Sequence, residues 1–273
     1  MGRRRPLGAL IALLAGVAFL QVPVVTPESP TGGLLLDRNR QLLGARLAAD
    51  EQWRFRPSEP PPERYRQALI AAEDKRFAYH PGVDPLAVSS AIVQNARAGR
   101  VVRGGSTLTM QLIRLARRNP PRTVPEKLLE MLLALRLDLA LSKADILTKY
   151  SEHAPFGGNI VGLEAASWRY LRRPPGSMSW AEAATFAVLP NEPALVHPHG
   201  NRERLKEKRD RLLQRLEDQG MIDEQTRMLA TLEPLIGAPE PLPKKTGHLL
   251  HRSQRGNEGS THATTVDASI QEL

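Results

Sequence analysis

Residues 73–82 read EDKRFAYHPG and carry the first candidate site of this sequence. They close a predicted helix on which Glu73 lies four residues after Leu69 and three after Ile70, so Glu73 borders the apolar face. A carboxylate at such a border loses solvation, and we expect its pKa to rise toward the range of a general base. Phe77 lies one helical turn after Glu73 and can line the same site. The same residues also fit a solvated helix end whose charged side chains lie at the surface without a catalytic role.

A second candidate site lies at residues 104–111, which read GGSTLTMQ. A glycine pair followed by hydroxyl residues predicts a helix start whose exposed N–H groups and dipole attract an anion. Between Asp84 and Glu126 there is no acidic residue, yet there are seven arginines: Arg97, Arg100, Arg103, Arg114, Arg117, Arg118 and Arg122. A stretch of one charge sign would attract a pyrophosphate or anionic lipid headgroups. A helix cap beside an unspecific basic face is the alternative.

Two further motifs follow on predicted helices. Residues 127–130 read KLLE, and the three-residue spacing projects Lys127 and Glu130 to similar sides, as in an ordinary ion pair. We interpret Glu126 as the capping-box partner of Thr123. Residues 143–150 read KADILTKY, which an amphipathic helix largely explains.

The N-terminus predicts a membrane anchor. Three arginines at 3–5 precede the apolar stretch 6–25, and 20 helical residues span roughly 30 Å, the thickness of a bilayer core. The arginines should stay in the cytoplasm, which places the rest of the chain outside. A cleaved signal peptide is the alternative, although residues 21–29 offer no convincing cleavage site. In either case the chain is exported, so nucleic acid is excluded as the partner of its basic surface.

Composition narrows the function classes further. The chain has 273 residues, of which 41% are hydrophobic and 25% charged, and this excludes wholesale disorder. The absence of cysteine excludes a disulfide scaffold, a thiolate zinc site and a cysteine nucleophile. The net charge of +9 favours a polyanionic partner, while an aromatic content of 4% argues against base stacking.

The hydrophobic pattern predicts a mainly α fold with a few short strands. We expect four regions: cytoplasmic arginines and a transmembrane anchor (1–25), a linker with short strands (26–60), a helical domain (61–232), and a linker into a truncated C-terminal region (233–273). Strands are predicted at 33–37, 52–56 and 262–267, and a helix start at 269–273. Helix starts are predicted at Asp84, Thr123, Ser142, Ser179, Asn201 and Asp223 from their capping residues.

Taken in order, the four motifs resemble those of the family 51 peptidoglycan glycosyltransferases, the transglycosylase domains of class A penicillin-binding proteins. The series E-D-x-x-F-x-x-H-x-G, G-G-S-T-L-T-x-Q, K-x-x-E and K-x-x-I-L-x-x-Y is matched over roughly residues 60–220. Residues 154–158 and 165–168 look most like the 1C type of these proteins. Residues 263–273 look like the start of the linker into a transpeptidase domain, which this chain would lack.

The resemblance implies a lysozyme-like helical domain with a groove that lies against the membrane. It implies polymerisation of lipid II, in which the acceptor's 4-hydroxyl attacks the anomeric carbon of the lipid-linked donor. The new bond is β-1,4, and undecaprenyl pyrophosphate leaves. The implied partners are lipid II, the growing glycan strand, the bacterial inner membrane and other cell-wall synthesis proteins. No cofactor is required, although a divalent cation, Mg²⁺ or Mn²⁺, is compatible with the chemistry.

Carried over by position, the resemblance makes Glu73 the general base and Glu130 the second carboxylate, which stabilises the donor's pyrophosphate region. Other residues match groups that line the substrate site: Asp74, Phe77, His80, Thr107, Gln111, Arg114 and Lys127. Departure of a pyrophosphate needs cationic and N–H stabilisation, and the arginine stretch and the glycine turn supply those groups. Two carboxylates in different environments can divide the acid–base and electrostatic roles.

The sequence also departs from the family pattern. Glu126 stands where an arginine is usual, Ser151-Glu152 replaces Leu-Asn, Met110 replaces a glutamine, and Arg114 replaces a lysine. Two other functions therefore stay open. One is a lytic enzyme that cleaves glycan, and the other is a catalytically impaired, membrane-anchored scaffold for wall synthesis.

Overall fold

A computed structural model of the chain describes residues 14, 16–100, 102, 104–192, 201–243 and 261–265. Helices dominate these residues, which confirms the mainly α prediction. The N-terminal arginines, much of the predicted anchor and the helix start at 269–273 lie outside the described residues. Among the described residues, no helix combines the length and the apolar composition needed to cross a bilayer.

The regular helices follow one another closely along the chain. They are α1 (Glu63–Glu73), α2 (Pro85–Ala98), α3 (Leu108–Ala116), α4 (Val124–Asp138), α5 (Lys143–His153), α6 (Leu163–Leu171), α7 (Trp180–Val188), α8 (Arg202–Asp218) and α9 (Glu224–Leu232).

Capping residues place the helix starts where the sequence predicts them. The Asp84 carboxylate accepts the N–H groups of Leu86 and Ala87 at the start of α2. Gly99 ends that helix with φ +62°, a left-handed conformation that glycine adopts without strain. Ser179 and Glu182 form a reciprocal capping box at α7. Local side-chain hydrogen bonding therefore fixes these boundaries.

The strands form a small sheet of order β2-β1-β3, with β1 (Leu34–Leu36), β2 (Leu42–Ala45) and β3 (Thr261–Ala263). β1 pairs antiparallel with β2 and parallel with β3. The first predicted strand is thus confirmed in a shortened form, and the third is confirmed in part, with a start at Thr261, one residue before the prediction, and residues 266–267 outside the described part of the chain.

The strand predicted at 52–56 is wrong, because only Trp53 and Phe55 form isolated bridges there. The strand beside β1 comes ten residues earlier. The Asp37 carboxylate accepts the backbone N–H groups of Asn39 and Gln41, and this folds the intervening residues into a tight turn. After this turn the chain runs back beside β1 and forms β2.

The chain divides into two compact units. The first comprises Met1–Pro27 and Arg76–Ile146, and the second comprises Glu28–Lys75 and Leu147–Leu273. The outer boundaries that the sequence predicts for the helical domain, at 61 and 232, stay predictions.

A buried arginine joins α8 to the end of α9 in the second unit. Arg209 is 0% exposed, and its guanidinium donates to the carbonyls of Glu233 (2.7 Å) and Thr231 (2.9 Å) and to the Asp210 carboxylate (2.8 Å). The carbonyls after a helix C-terminus have no intrahelical donors, so Arg209 satisfies groups that would otherwise lose hydrogen bonds on burial.

We expect Arg209→Met to lower the free energy of unfolding by about 3 kcal/mol, because it keeps the length of the side chain but removes the donor to two partly buried carbonyls and to the Asp210 carboxylate. The urea midpoint measures this effect. Arg211→Met, two residues away at a largely exposed side chain, is the matched control and should be close to neutral. An Arg209→Met chain as stable as wild type would show that packing, and not these hydrogen bonds, holds α8 to α9.

Candidate active site

Glu73 is the last residue of α1 and is half-buried. Tyr65, on the same helix, and Tyr150, on α5, are fully buried in the second unit. Burial raises the pKa of both phenols, and the negative charge of Glu73 raises the pKa of each further. The carboxylate therefore lies at the border of the unit's interior, as the spacing from Leu69 predicts.

Asp74 directly follows Glu73 but is buried. Its backbone leaves the helical conformation, with φ −155° and ψ 68°, while its N–H still donates to the Ile70 carbonyl at 2.9 Å. The helix thus ends between two adjacent carboxylates and gives them different degrees of exposure.

Glu130 lies on α4 in the first unit, and its side chain is only 3% exposed. Arg114 Nη1 donates to its Oε1 at 3.1 Å, and Lys127 Nζ donates to its Oε2 at 3.1 Å. The ordinary ion pair that the three-residue spacing suggests is present. However, Glu130 is buried and shared with a second cation, so two positive charges face one negative charge.

The glycine turn of residues 104–107 joins this cluster through Ser106. Lys127 Nζ donates to Ser106 Oγ at 2.7 Å as well as to Glu130. Gly105 packs so closely on α2 that a Cβ atom would lie 2.9 Å from the Val88 Cα, which excludes any side chain at this position. Thr107 caps α3 by accepting the Met110 N–H at 3.1 Å. The second and third motifs therefore form one structural cluster.

Thr107 also links the turn to the end of the first motif. Its Oγ1 donates to the Gly82 carbonyl at 2.5 Å. Gly82 has φ +79°, and a Cβ atom there would lie 2.3 Å from the Ala134 carbonyl oxygen of α4. Only glycine fits this conformation and this close approach.

Phe77 and His80 lie in the first unit and are both buried. Their rings meet edge to face with centroids 6.2 Å apart. Lys143, the first residue of the fourth motif, places Nζ 4.5 Å from the Phe77 centroid and donates to the His80 carbonyl at 2.7 Å. The first and fourth motifs are thus in direct contact within this unit, which makes Lys143 a further candidate that the helical pattern alone did not single out.

Other predicted residues of the first unit lie at its surface or edge. Gln111 is half-buried on α3, and its N–H donates to the Thr107 carbonyl at 3.0 Å. Four residues of the arginine stretch are exposed: Arg97, Arg100, Arg118 and Arg122. Arg103 lies outside the described residues.

Glu126 does not complete a capping box, so that part of the sequence interpretation is wrong. Thr123 Oγ1 accepts the Glu126 N–H at 3.3 Å, but the Glu126 carboxylate forms an ion pair with Arg117. The hydrogen bond from Arg117 lowers the pKa of Glu126. A guanidinium offers a carboxylate stronger, charge-assisted bonds than a backbone N–H does. The acidic departure in the third motif is therefore compensated by a neighbouring arginine.

Another buried carboxyl group of the second unit belongs to none of the predicted motifs. Glu164, at the start of α6, is 4% exposed and lines a pocket with Phe55, Pro57, Glu152, Leu163 and Pro175. Burial raises the pKa of Glu164 to about 7, although Trp168 Nε1 and Ser58 Oγ both donate to its Oε1. Burial also raises the pKa of Glu152. The sequence offered no signal for this group beyond a glutamate before an alanine pair.

Glu164→Gln is expected to stabilise the protein above pH 7. The folded state holds a proton on Glu164 up to about pH 7, whereas a solvated glutamate in the unfolded chain has a pKa of about 4.5, so folding stability falls as the pH rises between these values. Glutamine does not ionise, so the variant avoids this loss, which amounts to about 3 kcal/mol in the free energy of unfolding. Thermal melting at pH 5 and pH 8 measures the effect, and the variant's advantage should appear at pH 8. A variant that loses stability equally at both pH values would contradict the raised pKa.

Comparison with known proteins places this arrangement in a family. The family profile described as Transglycosylase matches residues 40–217. The chain belongs to the transglycosylase family. The match contains every candidate site residue, from Glu73 to Lys143, and both units contribute residues to it.

The relatives of this transglycosylase-family chain are much longer proteins. It is 40% identical to penicillin-binding protein 1C of Escherichia coli over 225 residues, which are 82% of this chain and 29% of that protein. It is 33% identical to penicillin-binding protein 1A of Aquifex aeolicus, over 84% of this chain and 33% of that protein. The chain therefore spans about a third of the length of these relatives. A crystal structure of penicillin-binding protein 1A from Haemophilus influenzae aligns with a TM-score of 0.40 and 18% identity, covering 90% of this chain and 28% of that one.

Proposed function

We propose that this chain is a peptidoglycan glycosyltransferase that polymerises lipid II into β-1,4-linked glycan and releases undecaprenyl pyrophosphate. The observation that carries the proposal is the cluster of the first unit, in which Lys127 joins the buried Glu130 to the Ser106 hydroxyl of the glycine turn. A turn at a helix start with adjoining cations is suited to a pyrophosphate leaving group. Membership of the transglycosylase family supports the same reaction.

Each group has a defined role in the proposed reaction. Glu73 takes the proton from the acceptor's 4-hydroxyl as the oxygen attacks the anomeric carbon of the donor. The bond from that carbon to the pyrophosphate breaks on the opposite face, so the configuration inverts. Lys127 and Arg114 stabilise the negative charge that develops on the leaving pyrophosphate, because Glu130 neutralises only one of the two cations. Glu130 holds both cations in place.

The other site residues support this arrangement. Thr107 shapes the turn, Gln111 lies one helical turn beyond it, and Asp74, Phe77 and His80 all belong to the first motif. We infer that they line the substrate site. We predict that the reaction requires no cofactor and is compatible with Mg²⁺ or Mn²⁺, which turnover with and without a chelator would test.

A membrane location accounts for further features of the first unit. The side chains of Leu86 and Ile92 on α2 and of Val124 and Leu128 on α4 are more than 60% exposed. Arg136, also on α4, donates to the Val22 carbonyl at the end of the predicted anchor, at 3.0 Å. Exposed apolar side chains mark an interaction surface where they form a contiguous patch. We infer a single-pass protein of the bacterial inner membrane with its catalytic part on the outer side. Its partners there are the lipid-linked substrate and other wall-synthesis proteins.

Product analysis separates polymerisation from glycan cleavage. The detergent-solubilised chain should convert labelled lipid II into long glycan and should leave purified sacculi intact. Shortened or anhydro-ended glycan from sacculi would instead identify a lytic enzyme.

A scaffold that has lost activity is the remaining alternative, and the departures at Glu126 and Ser151-Glu152 motivate it. Ser151 is buried and donates to the Leu147 carbonyl at 2.7 Å, so its role within α5 is structural. In cells, the deletion strain and a Glu73→Gln strain should share one cell-wall phenotype. A normal wall in the Glu73→Gln strain beside a defective one in the deletion strain would favour the scaffold.

A further inference from the structure

The candidate base Glu73 accepts a hydrogen bond from a residue outside the four motifs. The side-chain amide Nδ2 of Asn191 donates to Glu73 Oε1. Asn191 ends a 3₁₀ turn, Leu189–Asn191, that directly follows α7 in the second unit. An amide donor on a carboxylate fixes the orientation of the group and favours its ionised form.

Ion pairs hold the segment that carries Asn191. The next residue, Glu192, forms ion pairs with Arg204, at 2.9 Å, and with Lys208, both on α8. The hydrogen bond from Lys208 is the main reason that the pKa of Glu192 is lowered. Leu189, at the start of the same turn, is fully buried. The turn is therefore anchored on both sides of the asparagine.

α8 also holds the helix end from which Glu73 projects. Arg215 Nη1 donates to the Ala71 carbonyl at 2.8 Å and to the Ala72 carbonyl at 3.4 Å. The last carbonyls of a helix have no intrahelical donors, so a guanidinium there satisfies acceptors and fixes the final turn. Asn191 thus contacts the carboxylate itself, and Arg215 contacts the backbone that carries it.

We propose that Asn191 and Arg215 are the positioning residues of Glu73, which hold its carboxylate in one orientation, ionised and ready to accept a proton from the acceptor hydroxyl. The proposal rests on the proposed function, because it assigns Glu73 the role of base. The titratable phenols of Tyr65 and Tyr150 interact with the charge of Glu73, and the guanidinium of Arg215 lies against the carbonyls at the end of the same helix. Asn191 is a neutral amide that donates to the carboxylate itself.

The pH dependence of turnover tests the role of Asn191. Asn191→Leu replaces the amide by an apolar group of the same size, and the acidic limb of the kcat/KM profile should move up by about half to one pH unit. Asn191→Asp places a second carboxylate at the same position and should move the limb further. The change should fall on kcat with KM nearly unchanged. A loss of stability alone would lower the whole profile without moving its limb.

A second test uses the Glu73→Gln background. If Asn191 and Arg215 act through Glu73, then Asn191→Leu and Arg215→Met lower the wild-type rate but leave the residual rate of the Glu73→Gln chain unchanged. Arg215→Lys should recover part of the loss, because it restores one donor. Equal losses in both backgrounds would show that these residues bind substrate or support the fold, and this would overturn the proposal.

A third readout does not depend on turnover. The δ-carbon signal of Glu73 in a ¹³C-glutamate-labelled chain is assigned by its absence from Glu73→Gln, and its titration midpoint should rise in Asn191→Leu. An unchanged midpoint overturns the positioning role even if lipid II is polymerised. If the midpoint rises but the chain does not polymerise lipid II, the contact between Asn191 and Glu73 is supported and the proposed function is contradicted.

Discussion

Glu73→Gln is expected to reduce the rate of lipid II polymerisation by about 10²- to 10⁴-fold, the contribution typical of a positioned general base. The amide keeps the size of the side chain and can still pair with Asn191, but it cannot accept the proton of the acceptor hydroxyl. Because the interaction is made in the transition state, kcat and kcat/KM should fall together. Initial rates with labelled lipid II measure the effect.

Glu63→Gln is the matched control for this variant. Glu63 is the first residue of the same helix and forms an exposed ion pair with Arg66, so the same change of charge should leave turnover unaltered. A Glu73→Gln chain that polymerises at the rate of the Glu63→Gln chain would reject Glu73 as the base.

Glu130→Gln is expected to reduce turnover by about 10²-fold, comparable to the loss of one preorganised electrostatic group. The buried carboxylate holds Lys127 and Arg114 together, and without it the two cations repel each other and lose their fixed positions. Removing one partner of a buried ion pair also destabilises a protein, so thermal melting accompanies the rate measurement.

Glu126→Gln makes the same change one turn earlier on α4. The side chains of Arg117 and Glu126 are 24% and 28% exposed, and solvent-accessible ion pairs contribute little to stability, so we expect turnover and melting temperature close to wild type. Equal losses of turnover in the two variants would mean that the helix needs negative charge in general and that Glu130 has no special role.

Short-range signals in the sequence predicted most of the helix boundaries. At Asp84, Ser179 and Asn201 the capping side chain and its N–H partner lie within four residues of each other, so the relevant interaction is local. The capping box predicted for Glu126 fails for the opposite reason. Its partner, Arg117, belongs to the preceding segment, and a contact across nine residues leaves no local pattern.

In the candidate site too, local contacts could be predicted from the sequence and long-range contacts could not. The motif spacings predicted the pair of Lys127 and Glu130 and the position of Glu73 at the border of the apolar face. They could not predict that Lys127 reaches Ser106, 21 residues away, or that Asn191 reaches Glu73 across 118 residues. Such contacts depend on how the helices pack, and packing is not encoded in the spacing of any one motif.

The sheet was the least predictable part of the fold. The segment 52–56 has the apolar and aromatic composition of a strand, but the Asp37 turn gives the place beside β1 to Leu42–Ala45 instead. A turn made by one carboxylate decided the pairing, and strand propensity alone does not detect it.

The release of undecaprenyl pyrophosphate from lipid II tests the central claim most directly. For the detergent-solubilised wild-type chain, we expect one pyrophosphate lipid for each disaccharide added to the glycan, and almost none from the Glu73→Gln chain in the same time. Glycan growth without matching release, or equal release by the two chains, would contradict the account.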